Sequence, residues 1–129
     1  MVSLYREVPL ETDAAHAWET LRDSRNLARV FAGVLTDVRV EGDLRTVTFA
    51  NGSVIEERIV AVDDARMRVA YAVRGPNFEQ HAASMQIVAE SGGRCHLVWI
   101  SDFRPDDLRA MVEPLMDAGC AAAARNLAR

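Results

Sequence analysis

The sequence predicts an α+β fold in which a curved, seven-stranded antiparallel sheet wraps a long C-terminal helix. Three observations predict it. From Val34 to Phe103 apolar and polar residues alternate with a period of two, the pattern of half-buried strands. Every break in that alternation carries turn residues, so the strands follow one another as hairpins. Beyond Pro105 the period switches to helical spacing, with Leu108, Met111, Val112, Leu115 and Met116 on one broad apolar face. The chain of 129 residues is long enough to bury a substantial core as one domain over 1–129.

The elements follow in order. Val2 to Val8 alternates as a first strand. Thr12 or Asp13 caps a helix whose apolar stripe is Ala14, Trp18 and Leu21. A second short helix carries Leu27, Val30 and Phe31, and Gly33 stops it. Six strands are expected over 34–41, 44–50, 54–62, 66–74, 80–90 and 94–103. They are separated by Gly42-Asp43, Asn51-Gly52-Ser53, Asp63-Asp64-Ala65, Gly75-Pro76-Asn77 and Ser91-Gly92-Gly93. Pro105, Asp106 and Asp107 open the last helix, expected over 106–127, where proline and acidic side chains suit a helix N-terminus. A sheet cannot bury its face alone, so this one must curl around the long helix, which is the helix-grip layout.

Composition narrows the function. Half of the residues are hydrophobic and 26% are charged, and the apolar runs are too short to span a bilayer as helices. The fifteen basic residues are all arginine, which fits the codon bias of a G- and C-rich bacterial genome. They are scattered and the net charge is −4, which argues against a nucleic-acid partner. The first residues lack the basic-then-apolar pattern of a secretion signal, so a cytoplasmic location is expected. Cys95 and Cys120 make neither a disulfide framework nor a zinc site. A homodimer and a monomer both remain open.

The run Glu56-Glu57-Arg58-Ile59-Val60-Ala61-Val62-Asp63-Asp64-Ala65, then Val69-Ala70-Tyr71, and the stretch from Val98-Trp99 to Asp102-Phe103-Arg104-Pro105 resemble the polyketide cyclase/dehydrase family. That family belongs to the START-like (SRPBCC, birch-pollen-allergen-like) superfamily, and the resemblance extends over nearly the whole chain. It implies a hydrophobic-ligand cavity between sheet and terminal helix, with the glutamate of the Glu-Arg motif in the pocket, and no cofactor. It does not choose between a cyclase and a non-catalytic carrier or sensor. The chain departs from the plant hormone receptors of the superfamily. Ala50-Asn51-Gly52-Ser53 is too short for their gate, and Gly75 to Glu79 lacks their latch.

Turn lengths predict which side chains share the cavity face. Two-residue turns at Gly42-Asp43 and Gly92-Gly93, three-residue turns at 51–53 and 63–65, and a five-residue loop at 75–79 give one row: Val38, Val47, Glu57, Tyr71, Ala83 and Asp102. The same face then carries Ile55, Val73, Met85, Val98 and Ile100. A three-residue turn before the last strand would instead turn Leu97, Trp99, Ser101 and Phe103 inward and Asp102 outward.

Glu57, Tyr71 and His81 are the candidate catalytic residues. Burial of Glu57 on an apolar face suits an acid–base carboxylate, and pairing with an arginine is the structural alternative. Tyr71, opposite Glu57 in the row, is expected to share a hydrogen bond with it and to polarise a ligand carbonyl. His81 is expected at the mouth, oriented by Asp102. Phe31, Ile55, Val73, Ala83, Met85, Val98, Ile100, Asp102, Met111 and Leu115 complete the expected ligand-binding set, around a pocket of at least about 300 Å³. His96 lies over about 20 Å from His81 along the strands, and His16 sits on a solvated helix, so no metal site is expected. The expected partner is a hydrophobic, aromatic or polycyclic small molecule, bound or acted on by aldol cyclisation and dehydration. The alternative is a hydrophobic-ligand or lipid carrier with the same pocket.

Overall fold

The computed structural model describes residues 1–128. The chain runs through strand β1 (Val2–Leu10), helices α1 (Ala14–Leu21) and α2 (Leu27–Val30), strands β2 (Leu35–Glu41), β3 (Leu44–Phe49), β4 (Val54–Asp63), β5 (Arg68–Arg74), β6 (Gln80–Ala89) and β7 (Cys95–Arg104), and helix α3 (Arg109–Asn126). The sheet is seven-stranded in the order β1-β7-β6-β5-β4-β3-β2, antiparallel throughout, as the hairpin pattern requires. Asp13 caps α1 by accepting the His16 amide, which leaves Ala17, Trp18 and Leu21 to face the core. Among the described residues no helix is long and apolar enough to cross a membrane.

The terminal helix works in two halves. Its C-terminal half buries Gly119, Ala122 and Ala123, and these small residues let its backbone approach the sheet. A Cβ on Gly119 would lie 2.8 Å from the Trp99 ring, so only glycine fits there. Its N-terminal half meets the sheet more loosely, and Pro114 has no amide to bond the preceding turn. Arg6 of β1 holds this half by ion pairs to Glu113 at 2.5 Å and Asp117 at 2.7 Å.

The register differs from the expected row in three places, each with a local cause. Val38 opposes Val47 and Tyr71 opposes Ala83, as the turn lengths imply. Val47, however, opposes Ile55, because Thr48 pairs with Val54 and the loop spans 49–53. Glu57 opposes Val73, and Tyr71 opposes Ile59, because a longer turn over 64–67 combines with a bulge between Ile59 and Ala61. Both slips are by two residues, so the side chains stay on their expected face. The last slip is by one. Ala83 opposes Ser101, since Ala89 pairs with Cys95 and Glu90 bonds Arg94 around a three-residue turn. That single residue turns Leu97, Trp99, Ser101 and Phe103 inward, and Val98, Ile100 and Asp102 to the outer face.

Candidate functional site

Between the inner face of the sheet and the N-terminal half of α3 lies a cavity of about 110 Å³, smaller than the size expected from the sequence. Met111, Val112, Leu115, Met116 and Gly119 form its helical wall, a stripe that helical periodicity places on one side. Of the expected residues, Phe31, Ile55, Glu57, Tyr71, Val73, His81, Met85, Met111 and Leu115 line it. Ala83 faces inward and is 8% exposed, but contributes no surface to the cavity. Val98, Ile100 and Asp102 do not line it, because the turn before β7 puts them on the other side of the sheet. Asp102 accepts a hydrogen bond from Ser3 there and does not orient His81.

Three polar stations interrupt the apolar wall. The first is the arginine pairing that stood as the structural alternative for Glu57, with Arg45, which the sequence did not single out, as the partner. Arg45 Nε donates to Glu57 Oε1 at 2.7 Å, with the two side chains only 2% and 12% exposed. Arg45 opposes Glu57 directly on neighbouring strands. Its Nη1 also donates to Ser24 Oγ at 3.3 Å, and its guanidinium carbon stands 4.7 Å from the centre of the Tyr71 ring. The alternation contained the signal: Arg45 is two residues from Val47 and so shares its inward face.

The second station is Tyr71. Its expected bond with Glu57 does not form, because Arg45 occupies the carboxylate and the register sets Ile59, not Glu57, across from Tyr71. Instead Trp99 Nε1 donates to the Tyr71 hydroxyl at 3.0 Å, and the phenol proton has no acceptor among the described residues. Burial, reinforced by the nearby Glu57 charge, pushes the phenol well above its ordinary pKa, so it stays protonated.

The third station joins His81 Nε2 to Ser101 Oγ at 2.5 Å. Burial pushes the imidazole down to about 4, against a weaker upward pull from Asp102, so the ring is neutral at pH 7. Phe78 and Phe103 pack on the ring, and Nδ1 has no hydrogen-bond partner among the described residues. If Nε2 carries the proton and donates it to Ser101, Nδ1 keeps a free lone pair. Tyr71 opposes Ala83, two residues from His81, which makes Tyr71 and His81 diagonal neighbours about 7–8 Å apart on one face. Among the described residues no three His, Cys, Asp or Glu side chains converge on a metal-sized site.

A family model described as polyketide cyclase / dehydrase and lipid transport matches residues 1–129. The chain belongs to this family. Solved structures agree on the fold of this polyketide cyclase/dehydrase family member. An uncharacterized Bacillus thuringiensis protein superposes with a TM-score of 0.87 at 13% identity, covering 98% of both chains. The di-domain ARO/CYC protein BexL gives 0.84 at 13% identity, over 98% of this chain and 46% of that one. A truncated norcoclaurine synthase from Thalictrum flavum gives 0.76 at 16% identity, over 98% and 91%. No curated protein sequence matches the chain.

Proposed function

We propose that this protein binds a one-ring aromatic molecule bearing a carbonyl in the cavity between sheet and α3, with Tyr71 donating the hydrogen bond that orients it. The observation that carries this reading is the Tyr71 hydroxyl, which accepts from Trp99 and keeps its proton for a ligand inside an apolar wall. The volume sets an upper limit of one ring: at about 110 Å³ the cavity is smaller than the dry cavity of roughly 150 Å³ that holds benzene, so a ring enters only as Met111 and its neighbours on α3 give way. Phe31, Val73 and Met85 supply apolar contact, and Met111 and Leu115 supply side chains that adapt to shape. No cofactor enters this reading.

Calorimetric titration with acetophenone and with ethylbenzene tests it. Both bind the wild-type protein, and Tyr71→Phe weakens acetophenone about three- to tenfold, the loss of one hydrogen bond, while sparing ethylbenzene. No binding of either compound, or unchanged acetophenone affinity in Tyr71→Phe, refutes the assignment.

One observation favours an added catalytic role: a neutral imidazole and a free phenol proton stand on the same face of the cavity. In that reading the His81 ring turns its buried Nδ1 into the cavity and removes a proton α to the ligand carbonyl while Tyr71 donates its proton to the carbonyl oxygen, giving an enol. That step begins aldol cyclisation and dehydration alike. It predicts exchange of the methyl protons of acetophenone with deuterated water, followed by NMR, and its loss in His81→Phe. Glu57 takes no part as a base, because Arg45 holds its carboxylate. A wild-type protein that binds acetophenone without exchanging it is a carrier.

A further inference from the structure

The edges of the sheet are β1 and β2. Pro9 interrupts the donors of the first, whereas β2 has no proline and is exposed at Thr36, Asp37, Arg39, Val40 and Glu41. Exposed edges invite pairing with another chain. The sequence of β2 specifies which one.

We propose that β2 pairs antiparallel with β2 of a second copy of this chain, about a two-fold axis through Val38, joining the two sheets edge to edge. The hairpin determines which backbone groups are free. Glu41 pairs with Leu44 across the Gly42-Asp43 turn, and the pair closing a two-residue turn exchanges both of its hydrogen bonds. Arg39, two residues back, therefore also bonds inward to β3, and Val38 and Val40 turn their N–H and C=O groups outward. The register shift between Leu35 and Asp37 falls at Thr36, which the ladder with β3 skips, so the regular free edge spans 37–40 and the bulged Thr36 borders it. Two such edges centred on Val38 set Val38 against Val38, whose outward-facing groups bond each other, and bring Val40 against the bulged Thr36.

Charge selects the same register independently. Asp37 and Arg39 project from one face of β2, and their side chains are 55% and 85% exposed, joined within the chain by a contact of 3.5 Å. In the Val38-centred register Asp37 of each copy lies directly opposite Arg39 of the other, in the closely spaced non-hydrogen-bonded positions. Two cross-strand ion pairs result. A slip of two residues loses one or both, and a parallel arrangement opposes like charges. On the other face Val38 and the exposed Val40 of both copies come together, which buries apolar surface that the single chain leaves in water. An interface of one short strand is small, so the association is weak and reversible.

Sedimentation equilibrium from about 1 μM to 1 mM tests this, a range that suits so small an interface. The wild-type chain shifts within it from 14.3 kDa to twice that mass. Asp37→Arg and Arg39→Asp each create two like-charge oppositions and weaken self-association at least about tenfold. An equimolar mixture of the two variants recovers the dimer, because each opposition across the axis then sets an arginine of one variant against an aspartate of the other. The swapped double variant D37R/R39D recovers it for the same reason. Circular dichroism checks that each variant is folded, as the exposure of both side chains implies. A wild-type chain that stays at 14.3 kDa throughout, single variants that associate like wild type, or a swap that fails to recover association overturns the proposal.

Discussion

Replacing Glu57 with glutamine keeps the shape of the side chain and removes its charge. From the sequence alone, a functional glutamate on an apolar face should hold or gain stability by this change. The structure reverses the sign. Glu57 is the counter-ion of Arg45, whose side chain is 2% exposed, so the substitution strands a buried guanidinium. Breaking a buried pair by removing one partner costs 3–5 kcal/mol, and the glutamine oxygen still accepts from Nε, so about 3 kcal/mol is expected. For a chain of 129 residues this lowers the thermal midpoint by roughly 10 °C. Urea unfolding with an unchanged m-value reads the free energy directly. The double variant R45M/E57L replaces the pair with apolar side chains of similar volume, and its stability falls within about 1 kcal/mol of wild type or exceeds it. The single variants R45M and E57L, each of which strands one buried charge at a cost of at least about 3 kcal/mol, complete the cycle, and its coupling energy is at least about 2 kcal/mol. A Glu57→Gln protein within about 0.5 kcal/mol of wild type, or a double variant that loses the sum of its singles, refutes the argument.

Two further outcomes follow from the same cavity. His81 has a folded pKa of about 4 against the ordinary 6.5, so the unfolded chain binds more protons between those values. Stability is complete above about pH 6.5 and is lost as pH falls toward 4, by about 2 kcal/mol at pH 5. Urea midpoints of wild type and His81→Phe should converge as pH falls, and parallel profiles contradict the assignment. Gly119→Ala gains about 1 kcal/mol of helix propensity but drives a methyl group within 2.8 Å of the Trp99 ring. Overpacking of 1–3 kcal/mol outweighs that gain, so the variant is destabilised and its tryptophan emission shifts, whereas stabilisation shows that the helix yields without strain.

Much of this molecule was legible before its structure. Strands, turns and the terminal helix follow from a period of two giving way to 3.6, because those periods are properties of the backbone and need no partner. Parity carried Glu57, Tyr71 and His81 to the correct face, even though two turns are longer than expected, because both slips moved the row by two. Arg45 was legible by the same parity, two residues from Val47. The last strand was not. One extra turn residue before β7 exchanges Trp99 and Ser101 for Val98, Ile100 and Asp102, and both faces of that strand are apolar enough that hydrophobicity does not choose between them. The partners of the polar groups were also beyond the sequence. Glu57 finds Arg45, Tyr71 finds Trp99, and His81 finds Ser101, across strands whose register depends on a loop and a bulge. Local periodicity therefore determined which side chains could enter the cavity. Only the tertiary structure decided which of them meet, because a hydrogen bond is made or lost within about an ångström while a one-residue slip moves a side chain by about 3.3 Å.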